Sequence, residues 1–138
     1  MPIPIGELMM KKLTNKEIGA LGEKFAADYL KRQKYKILDR NYKCRHGEID
    51  IIACDGNEIV FVEVKTRSSD PYLPGMYAVD RKKQEHLLRA ASVYLSATDL
   101  RLQPRMDVIE VELDDRAQPS KINHIKSAFI QTGDYARY

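Results

Sequence analysis

Three carboxylates and a lysine interrupt two neighbouring segments that are otherwise apolar. Residues 47–67 read GEIDIIACDGNEIVFVEVKTR, and among their Ile, Val and Phe side chains lie Glu48, Asp50, Glu63 and Lys65. An ionisable group buried in a sheet costs free energy unless it is paired or bound to a metal ion. The pattern therefore indicates one of two arrangements: an exposed strand face with cross-strand ion pairs, or a site that holds a cation.

Strand alternation decides which of these groups can meet. Because successive side chains point to opposite faces, Glu63 and Lys65 are expected to share one face of the second strand. Glu48 and Asp50 are expected to share a face of the first strand, and the two isoleucines that flank Asp50 to share the other. Apolar residues continue both charged faces, which favours a site at the margin of the core over a fully exposed polar face.

The turn between the two strands sets their register. Residues 55–57, DGN, are a strong hairpin signal. A loop formed by the last two of these residues would pair Asp50 with Glu63. A loop formed by the first two, which turn preference favours, would pair Asp50 with Phe61 and leave Glu63 as a diagonal neighbour. Either loop brings the two carboxylates together, whereas a plain three-residue loop would send Asp50 to the other face.

Two carboxylates on adjacent strands repel each other, and a divalent cation relieves that repulsion. Mg²⁺ prefers oxygen ligands in octahedral geometry and often uses only one or two protein carboxylates besides water and phosphate. Asp50 and Glu63 fit this role, with the backbone carbonyl of Val64 as a further ligand. Lys65 would face the same cavity, where it could orient or deprotonate an attacking water or neutralise charge on phosphorus.

Local signals predict the elements that position this hairpin. Residues 14–17, TNKE, fit a capping box, so a helix is expected to begin there and to continue with apolar residues at spacings of three and four. A helix followed by three strands, a second helix and one or two strands predicts an α/β fold with a central sheet flanked by helices. The later elements are predicted as strands at 35–42, 47–54 and 58–66, a loop at 68–78, a helix at 80–96, a strand at 105–113 and a short strand at 122–125.

Length and composition limit the class of protein. The 138 residues suggest one domain, residues 14–138, behind a flexible N-terminal extension at residues 1–13. Hydrophobic residues make up 43% of the chain and charged residues 31%, which is typical of a globular domain and not of a disordered one. The net charge of +3 does not by itself indicate a nucleic-acid-binding protein.

Neither a membrane segment nor a cysteine-based site is expected. The longest apolar runs are about four residues, whereas a membrane span needs roughly 20. The first residues lack the order of a secretory signal, so the chain is expected to be cytoplasmic, without a membrane partner. Cys44 and Cys54 belong to no CxxC motif, which predicts two reduced thiols and no zinc site.

Basic side chains flank the charged hairpin in sequence. Residues 31–46 contain seven Lys or Arg and one acid, and a second basic group follows Lys65. Such residues could hold a phosphate backbone without reading its sequence, or they could form a solvated charged surface. Interleaved tyrosines could stack on unpaired bases or pack against the core edge. The candidate nucleic-acid contacts are Arg40, Lys43, Arg45, Arg67, Lys83 and Gln84, and the interleaved tyrosines are Tyr35, Tyr42, Tyr72 and Tyr77.

The arrangement of the charged residues resembles that of the PD-(D/E)xK nuclease superfamily. In that pattern an Asp is followed by Glu-x-Lys, here thirteen positions later, and is preceded by a helix that carries a Glu. The chain is similar to the YraN-like family of bacterial endonuclease-like proteins, which is itself similar to archaeal Holliday junction resolvases. The segments that carry the resemblance are GALGEKFAADYL (19–30), RNYKCRHGEIDIIACDG (40–56), VFVEVKTR (60–67), KQEHLLRAASVYL (83–95) and RMDVIEV (105–111).

The resemblance implies a fold and a set of residue roles. It implies that residues 14–138 form a nuclease-like domain with a restriction-endonuclease-like core, a mixed sheet of about five strands flanked by helices. It further implies an endonuclease dependent on Mg²⁺ or Mn²⁺, in which Asp50 and Glu63 bind the metal, Lys65 is catalytic and Glu23 completes the site from the first helix. Ile49 stands where the name of the superfamily would place a proline.

Two classes of function remain open at this stage. The first is a metal-dependent endonuclease acting on DNA, branched or single-stranded, with DNA favoured over RNA and with a homodimer favoured because junction-cleaving relatives need two active sites. The second is a catalytically silent nucleic-acid-binding module that keeps the nuclease fold. The first is favoured because such a module would be expected to have lost Lys65 or a carboxylate.

Four further polar residues have open roles. Glu48 could be a substitute ligand or could pair with Arg45. Gln84 could contact a phosphate or a metal-bound water, or it could reach solvent at the helix end. Asp107 is expected to be structural, and His46 could act as an acid near the site.

Overall fold

The computed structural model describes residues 13–68 and 80–129. The predicted order of helices and strands is confirmed within these ranges. Residues 1–12 of the predicted extension and residues 69–78 of the predicted loop, which include Tyr72 and Tyr77, lie outside the described residues. The elements are α1 (Asn15–Arg32), β1 (Lys36–Cys44), β2 (Gly47–Asp55), β3 (Glu58–Ser68), α2 (Arg81–Ala97), β4 (Gln103–Leu113) and β5 (Pro119–Phe129).

The capping box predicted at the start of α1 is present. The Glu17 backbone N–H donates to Thr14 Oγ1 at 3.1 Å, and the Thr14 N–H donates to Glu17 Oε1 at the same distance. These bonds satisfy two backbone donors that a helix start would otherwise leave without partners. The second helix has the related cap of an aspartate, in which Asp80 Oδ1 accepts from the Lys83 N–H at 2.7 Å.

The five strands form one mixed sheet in the order β1-β2-β3-β4-β5. The first three strands are an antiparallel meander, β4 runs parallel to β3 after the crossover through α2, and β5 returns antiparallel to β4. The predicted short fifth strand is real but longer than expected, with 11 residues. This α/β sheet with one helix on each face is the architecture of a restriction-endonuclease-like core.

Each helix covers a separate apolar layer of the sheet. Ala26, Ala27 and Leu30 of α1 pack with the valines of β3, whereas Leu87 and Leu88 of α2 pack with its isoleucine and phenylalanine. This division follows from strand alternation along β3. None of the helices in 13–68 and 80–129 is long and apolar enough to span a bilayer.

The register of the β2–β3 hairpin differs from the one that turn preference favoured. Asp55 pairs with Glu58, so the two-residue loop is Gly56-Asn57 and not Asp55-Gly56. Gly56 has φ +62°, a left-handed value that glycine adopts without strain. Asp55 stays in the strand because its Oδ2 accepts from Arg105 Nη1 at 2.9 Å, an interaction across 50 residues that a local turn rule cannot include.

The strand β2 does not keep strict alternation around Asp50. Ile51 packs in the layer under α1, whereas Ile49 packs with Ile52 in the layer under α2. The expectation that the two isoleucines flanking Asp50 share a face is therefore wrong. The described pairing of β2 with β3 ends at Ile51 and Val62, which shows that β2 bends away from β3 at Asp50.

Candidate active site

The side chain of Asp50 occupies the gap where β2 and β3 separate. Asp50 Oδ2 accepts a hydrogen bond from the Val64 backbone N–H at 2.8 Å. Buried backbone N–H groups need a hydrogen-bond partner. Because β2 diverges here and its backbone no longer pairs with β3, the Asp50 carboxylate accepts from the Val64 N–H instead. The separation leaves Asp50 next to the stretch of β3 that carries Glu63 and Lys65.

Glu63 is a buried carboxylate whose two oxygen atoms have different surroundings. Its exposed fraction is 6%. Oε1 lies 3.3 Å from Lys65 Nζ and 3.8 Å from Lys83 Nζ. Oε2 is buried and has no hydrogen-bond partner among the residues that the structure describes. A buried polar atom without a partner is costly, so Glu63 Oε2 is suited to an electropositive ligand.

The carboxyl group of Asp50 has an unusual proton affinity. Burial, the largest cause, and the negative charges of Glu63 and Glu23 together raise its pKa from 3.8 to about 7. The hydrogen bond from Val64 and the positive charge of Lys83 oppose this shift only in part. Glu63 is therefore close enough to disfavour the ionised form of Asp50, which is the situation that a bound cation relieves.

Glu23 reaches the same group of charges from α1. Burial and the charge of Glu48 raise its pKa, and the charge of Glu63 contributes, while Arg40 lowers it. Glu23 is therefore near the carboxylates of both strands, although it lies on a different element. The structure thus brings together all four residues predicted from the charged pattern and the helix.

The donor set fits a divalent cation that uses few protein ligands. Among residues 13–68 and 80–129, no group of three or more His, Cys, Asp or Glu is placed to hold a metal ion together. Mg²⁺ commonly uses only one or two carboxylates, and the carboxylates of Asp50 and Glu63 with the Val64 carbonyl match that requirement. The partnerless oxygen of Glu63 is the specific feature that favours a cation here.

Comparison with known proteins identifies the family. The model described as "Uncharacterised protein family UPF0102" matches residues 22–111, which include the whole charged set. The chain belongs to the UPF0102 family. This is the YraN-like family that the sequence motifs resemble.

Several UPF0102 proteins match along nearly their whole length. One from Caldanaerobacter subterraneus subsp. tengcongensis is 48% identical over 122 residues, which is 87% of this chain and 100% of the relative. One from Geobacter metallireducens is 48% identical over 118 residues, 85% of this chain and 95% of the relative. One from Alkaliphilus oremlandii is also 48% identical over 118 residues, 83% of this chain and 99% of the relative.

The predicted nucleic-acid contacts of this UPF0102 protein occupy two environments. Arg40, Lys43 and Arg45 are exposed on β1 and the turn after it. Arg67 instead donates from Nη2 to Glu112 Oε2 at 3.0 Å on the neighbouring strand. Lys83 is half-buried beside Glu63.

Two alternatives for polar residues near the site are resolved by their burial and bonding. Gln84 is only 3% exposed, so the alternative of a side chain reaching solvent is wrong. Glu48 lies beside Glu23, where both contact Asn41, and among the described residues it forms no ion pair with Arg45. Arg45 Nε lies 3.3 Å from His46 Nε2 instead.

The two described tyrosines of the interleaved set are used for packing. Tyr35 is buried, and its hydroxyl accepts from Arg105 Nη2 at 2.6 Å. Tyr42 packs edge-on against Tyr94 with ring centroids 5.1 Å apart. For Tyr35 and Tyr42 the alternative of packing at the core edge is therefore the correct one.

Asp107 is a structural carboxylate, as expected. It is fully buried and accepts from the Arg105 guanidinium, from the Ser127 N–H and from His124 Nε2, the last at 2.7 Å. Burial alone would raise its pKa, but these hydrogen bonds lower the pKa below its usual value. Its oxygen atoms are occupied by donors within the fold, which distinguishes it from Glu63.

Sequence reasoning missed Asn41, which contacts two of the carboxylates, Glu23 and Glu48. With its amide nitrogen turned toward the carboxylates, Asn41 Nδ2 donates to Glu23 Oε1 at 2.6 Å and to Glu48 Oε1 at 3.1 Å. The available signal was a polar residue capable of left-handed backbone conformation within a predicted strand. That signal is weak, because it specifies neither the bend nor the partners.

Proposed function

We propose that this UPF0102 protein is a cytoplasmic endonuclease that hydrolyses phosphodiester bonds of DNA with the help of Mg²⁺ or Mn²⁺. The observation that carries the proposal is the pair formed by the half-buried Asp50 and the buried Glu63, in which Glu63 Oε2 lacks a partner among the described residues while a lysine lies at Oε1. Two repelling acids beside an amine are difficult to explain as a stabilising device, because their burial costs free energy.

The residues of the site divide into cation ligands and groups that act on the substrate. Asp50, Glu63 and the Val64 carbonyl would hold the cation, which when bound supplies a Lewis acid and lowers the pKa of water. Lys65 would place its ammonium against a phosphoryl oxygen and so offset the negative charge that develops during attack on phosphorus. Glu23 would orient the attacking water by accepting a hydrogen bond from it.

The reaction fits hydrolysis in which water attacks phosphorus and the P–O bond to a sugar oxygen breaks. The leaving oxygen takes a proton from solvent or from the ammonium of Lys65, and the product is a phosphate monoester with a free hydroxyl. The exposed Arg40, Lys43 and Arg45 would contact backbone phosphates on either side of the cleaved bond. Branched DNA would be cut by two copies acting as a homodimer, because each copy carries one site.

A second function is favoured by one specific observation. Lys65 and Lys83 both approach Glu63, so part of the negative charge of the site is already balanced by residues of the chain. A protein of this kind could bind DNA through its basic surface without cleaving it. In that case Asp50, Glu63 and Glu23 would have no catalytic role and would only contribute to the form of the DNA-binding surface.

The test is a cleavage assay on linear, nicked, flap and four-way DNA and on RNA, with Mg²⁺ and with Mn²⁺. Asp50→Ala, Glu63→Ala and Lys65→Ala are each expected to abolish cleavage while circular dichroism shows an intact fold. Asp115→Ala, which removes an exposed carboxylate from the β4–β5 turn, is the matched control and is expected to remain active.

Each result of this assay has a defined meaning. Wild-type activity that persists in all three site variants would rule out the proposed site. Binding to DNA without cleavage of any substrate would favour the silent module. Cleavage confined to RNA would retain the chemistry and correct the substrate.

A further inference from the structure

Asn41 lies on β1, opposite the bend at which β2 separates from β3. Its φ is +54°, in the left-handed region that asparagine tolerates better than most residues other than glycine. Arg40 pairs with Ile51 and Tyr42 pairs with Ile49, so Asn41 lies opposite Asp50 in the antiparallel pair. The left-handed residue of β1 and the bend of β2 thus occur at the same level of the sheet.

The side chain of Asn41 connects two elements. Its Nδ2 donates to Glu23 Oε1 on α1 at 2.6 Å and to Glu48 Oε1 on β2 at 3.1 Å, in the amide orientation that satisfies both acceptors. An ionised carboxylate has no donor, so Glu23 and Glu48 cannot bond to each other directly. One amide group supplies the two hydrogens that keep both carboxylates together.

We propose that Asn41 is a positioning residue of the candidate site. Its amide holds Glu23 and Glu48 side by side, and its left-handed backbone sets the bend that places Asp50. Asn41 acts on the reaction through these carboxylates and not by touching the phosphate. The inference rests on the proposed function only for its effect on cleavage, because cation binding tests it without a substrate.

The substitution Asn41→Gly tests the role of the side-chain amide separately from that of the left-handed backbone. Glycine adopts the left-handed conformation without strain, so this variant removes the two hydrogen bonds and preserves the bend. Asn41→Ala removes the same bonds and adds backbone strain. Asn57→Gly is the matched control, since it makes the same change at an exposed residue of the turn at the far end of the hairpin.

Calorimetric titration with Mn²⁺ and steady-state cleavage kinetics give the two readouts. Outer-shell groups of a metal site typically contribute about 10–100-fold to affinity or activity, and we expect losses of this size for Asn41→Gly in Mn²⁺ affinity and in kcat, because the charge of Glu23 is no longer held near Asp50. KM for DNA is expected to remain unchanged, because the basic surface is intact. Asn41→Ala is expected to lose at least as much, and Asn57→Gly to match the wild type in every readout.

A rescue variant excludes a purely structural role for Asn41. In Asn41→Gly combined with Glu48→Gln, the introduced amide can donate to Glu23 itself, because Glu23 and Glu48 both contact the same Asn41 nitrogen. We expect this double variant to regain part of the Mn²⁺ affinity that Asn41→Gly loses. If Asn41→Gly does not fold, Asn41→Ala is measured in its place, and wild-type Mn²⁺ affinity in that variant would overturn the proposal.

The outcomes for Asn41 and for the nuclease proposal can be told apart. Wild-type Mn²⁺ affinity and kcat in Asn41→Gly would overturn the positioning role and leave the nuclease proposal intact. A wild type that binds Mn²⁺ but cleaves nothing would defeat the nuclease proposal, while the affinity comparison would still decide the role of Asn41. A wild type that binds no Mn²⁺ would overturn both.

Discussion

Asp50 and Glu63 place two carboxyl groups where neither water nor hydrogen bonding fully compensates a negative charge. Asp50 accepts one backbone hydrogen bond, and Glu63 has one oxygen near lysines and one without a partner in the described part of the chain. Groups that lower stability are typical of functional sites, because catalysis and binding require arrangements that folding alone would not select. The stability of the protein should therefore report on these charges directly.

The substitution Asp50→Asn is expected to stabilise the fold in the presence of EDTA at alkaline pH. The pKa of Asp50 in the folded protein, about 7, lies above the ordinary value of 3.8. Between these two pH values the native state therefore keeps a proton that the unfolded chain has lost. The wild type therefore loses stability as pH rises from about 4 to about 7, whereas asparagine stays neutral and can still accept from Val64. At pH 8 we expect the variant to be more stable by about 1–3 kcal/mol.

Urea unfolding between pH 4.5 and pH 8 measures this difference. The advantage of Asp50→Asn over the wild type should grow with pH and level off above about pH 7, where Asp50 is ionised in both states. Asp115→Asn, an exposed carboxylate, should show no such growth. An advantage that is equal at both ends of the pH range would contradict the assignment of a raised pKa to Asp50. Addition of Mn²⁺ should stabilise the wild type and not Asp50→Asn.

The helix α1 approaches the sheet closely enough for a single methyl group to matter. A Cβ built on Gly22 would overlap Thr66 Oγ1 and would lie 2.7 Å from Thr66 Cβ on β3. This contact lies next to Glu23, so the distance between α1 and β3 also sets where that carboxylate lies. The helix spacing is thus part of the site geometry and not only of the core.

The substitution Gly22→Ala is expected to destabilise the protein by about 1–3 kcal/mol, because overpacking must move α1 away from β3. Gly19→Ala is the matched control: nothing lies within 4 Å of its built Cβ. The control should gain stability by about 0.5–1 kcal/mol from helix propensity. Urea unfolding measures the free energy of unfolding of both variants. A Gly22→Ala protein as stable as Gly19→Ala would disprove the close contact. Adding Thr66→Ala should rescue Gly22→Ala only in part, because the Cβ of residue 66 remains.

Element boundaries were predictable because their signals are local. The capping box at residues 14–17 and the apolar periodicity after it are properties of neighbouring residues, and they define α1 correctly. The hairpin register was not predictable from turn preference, because Asp55 is held in the strand by Arg105 of β4. An interaction between residues this far apart in sequence exists only once the sheet has formed.

The site was predictable only in part, for the same reason. The types and spacing of Asp50, Glu63 and Lys65 follow from strand alternation, which operates within one hairpin. The approach of Lys83 to Glu63 depends on how α2 packs. The contact of Asn41 with Glu23 depends on a left-handed residue and on the position of α1. Both features arise from tertiary structure, which single-sequence patterns do not encode.

At the scale of the whole molecule, the two edge strands of the sheet differ in how close they lie to the candidate site, and β1 is the nearer one. The edge strand β1 lies beside the bend and exposes Arg40 and Lys43, and Arg40 is close enough to lower the pKa of Glu23. The opposite edge strand β5 also exposes two lysines, Lys121 and Lys126, but three strands separate it from β1. A phosphate backbone that enters the site should therefore contact the β1 edge and not the β5 edge.

The double variant Arg40→Ala with Lys43→Ala is expected to weaken DNA binding equally for all sequences. Each lost phosphate contact reduces the slope of log K against log salt by about 0.9 on duplex DNA, so the slope should fall by up to about 1.8. Fluorescence anisotropy in EDTA, at salt concentrations from 50 to 200 mM, measures binding without cleavage. Lys121→Ala with Lys126→Ala removes the same charge from the other edge and should leave the slope unchanged. Equal losses in both double variants would mean that DNA responds to net charge alone, whereas a loss confined to certain sequences would assign base contacts to the β1 edge.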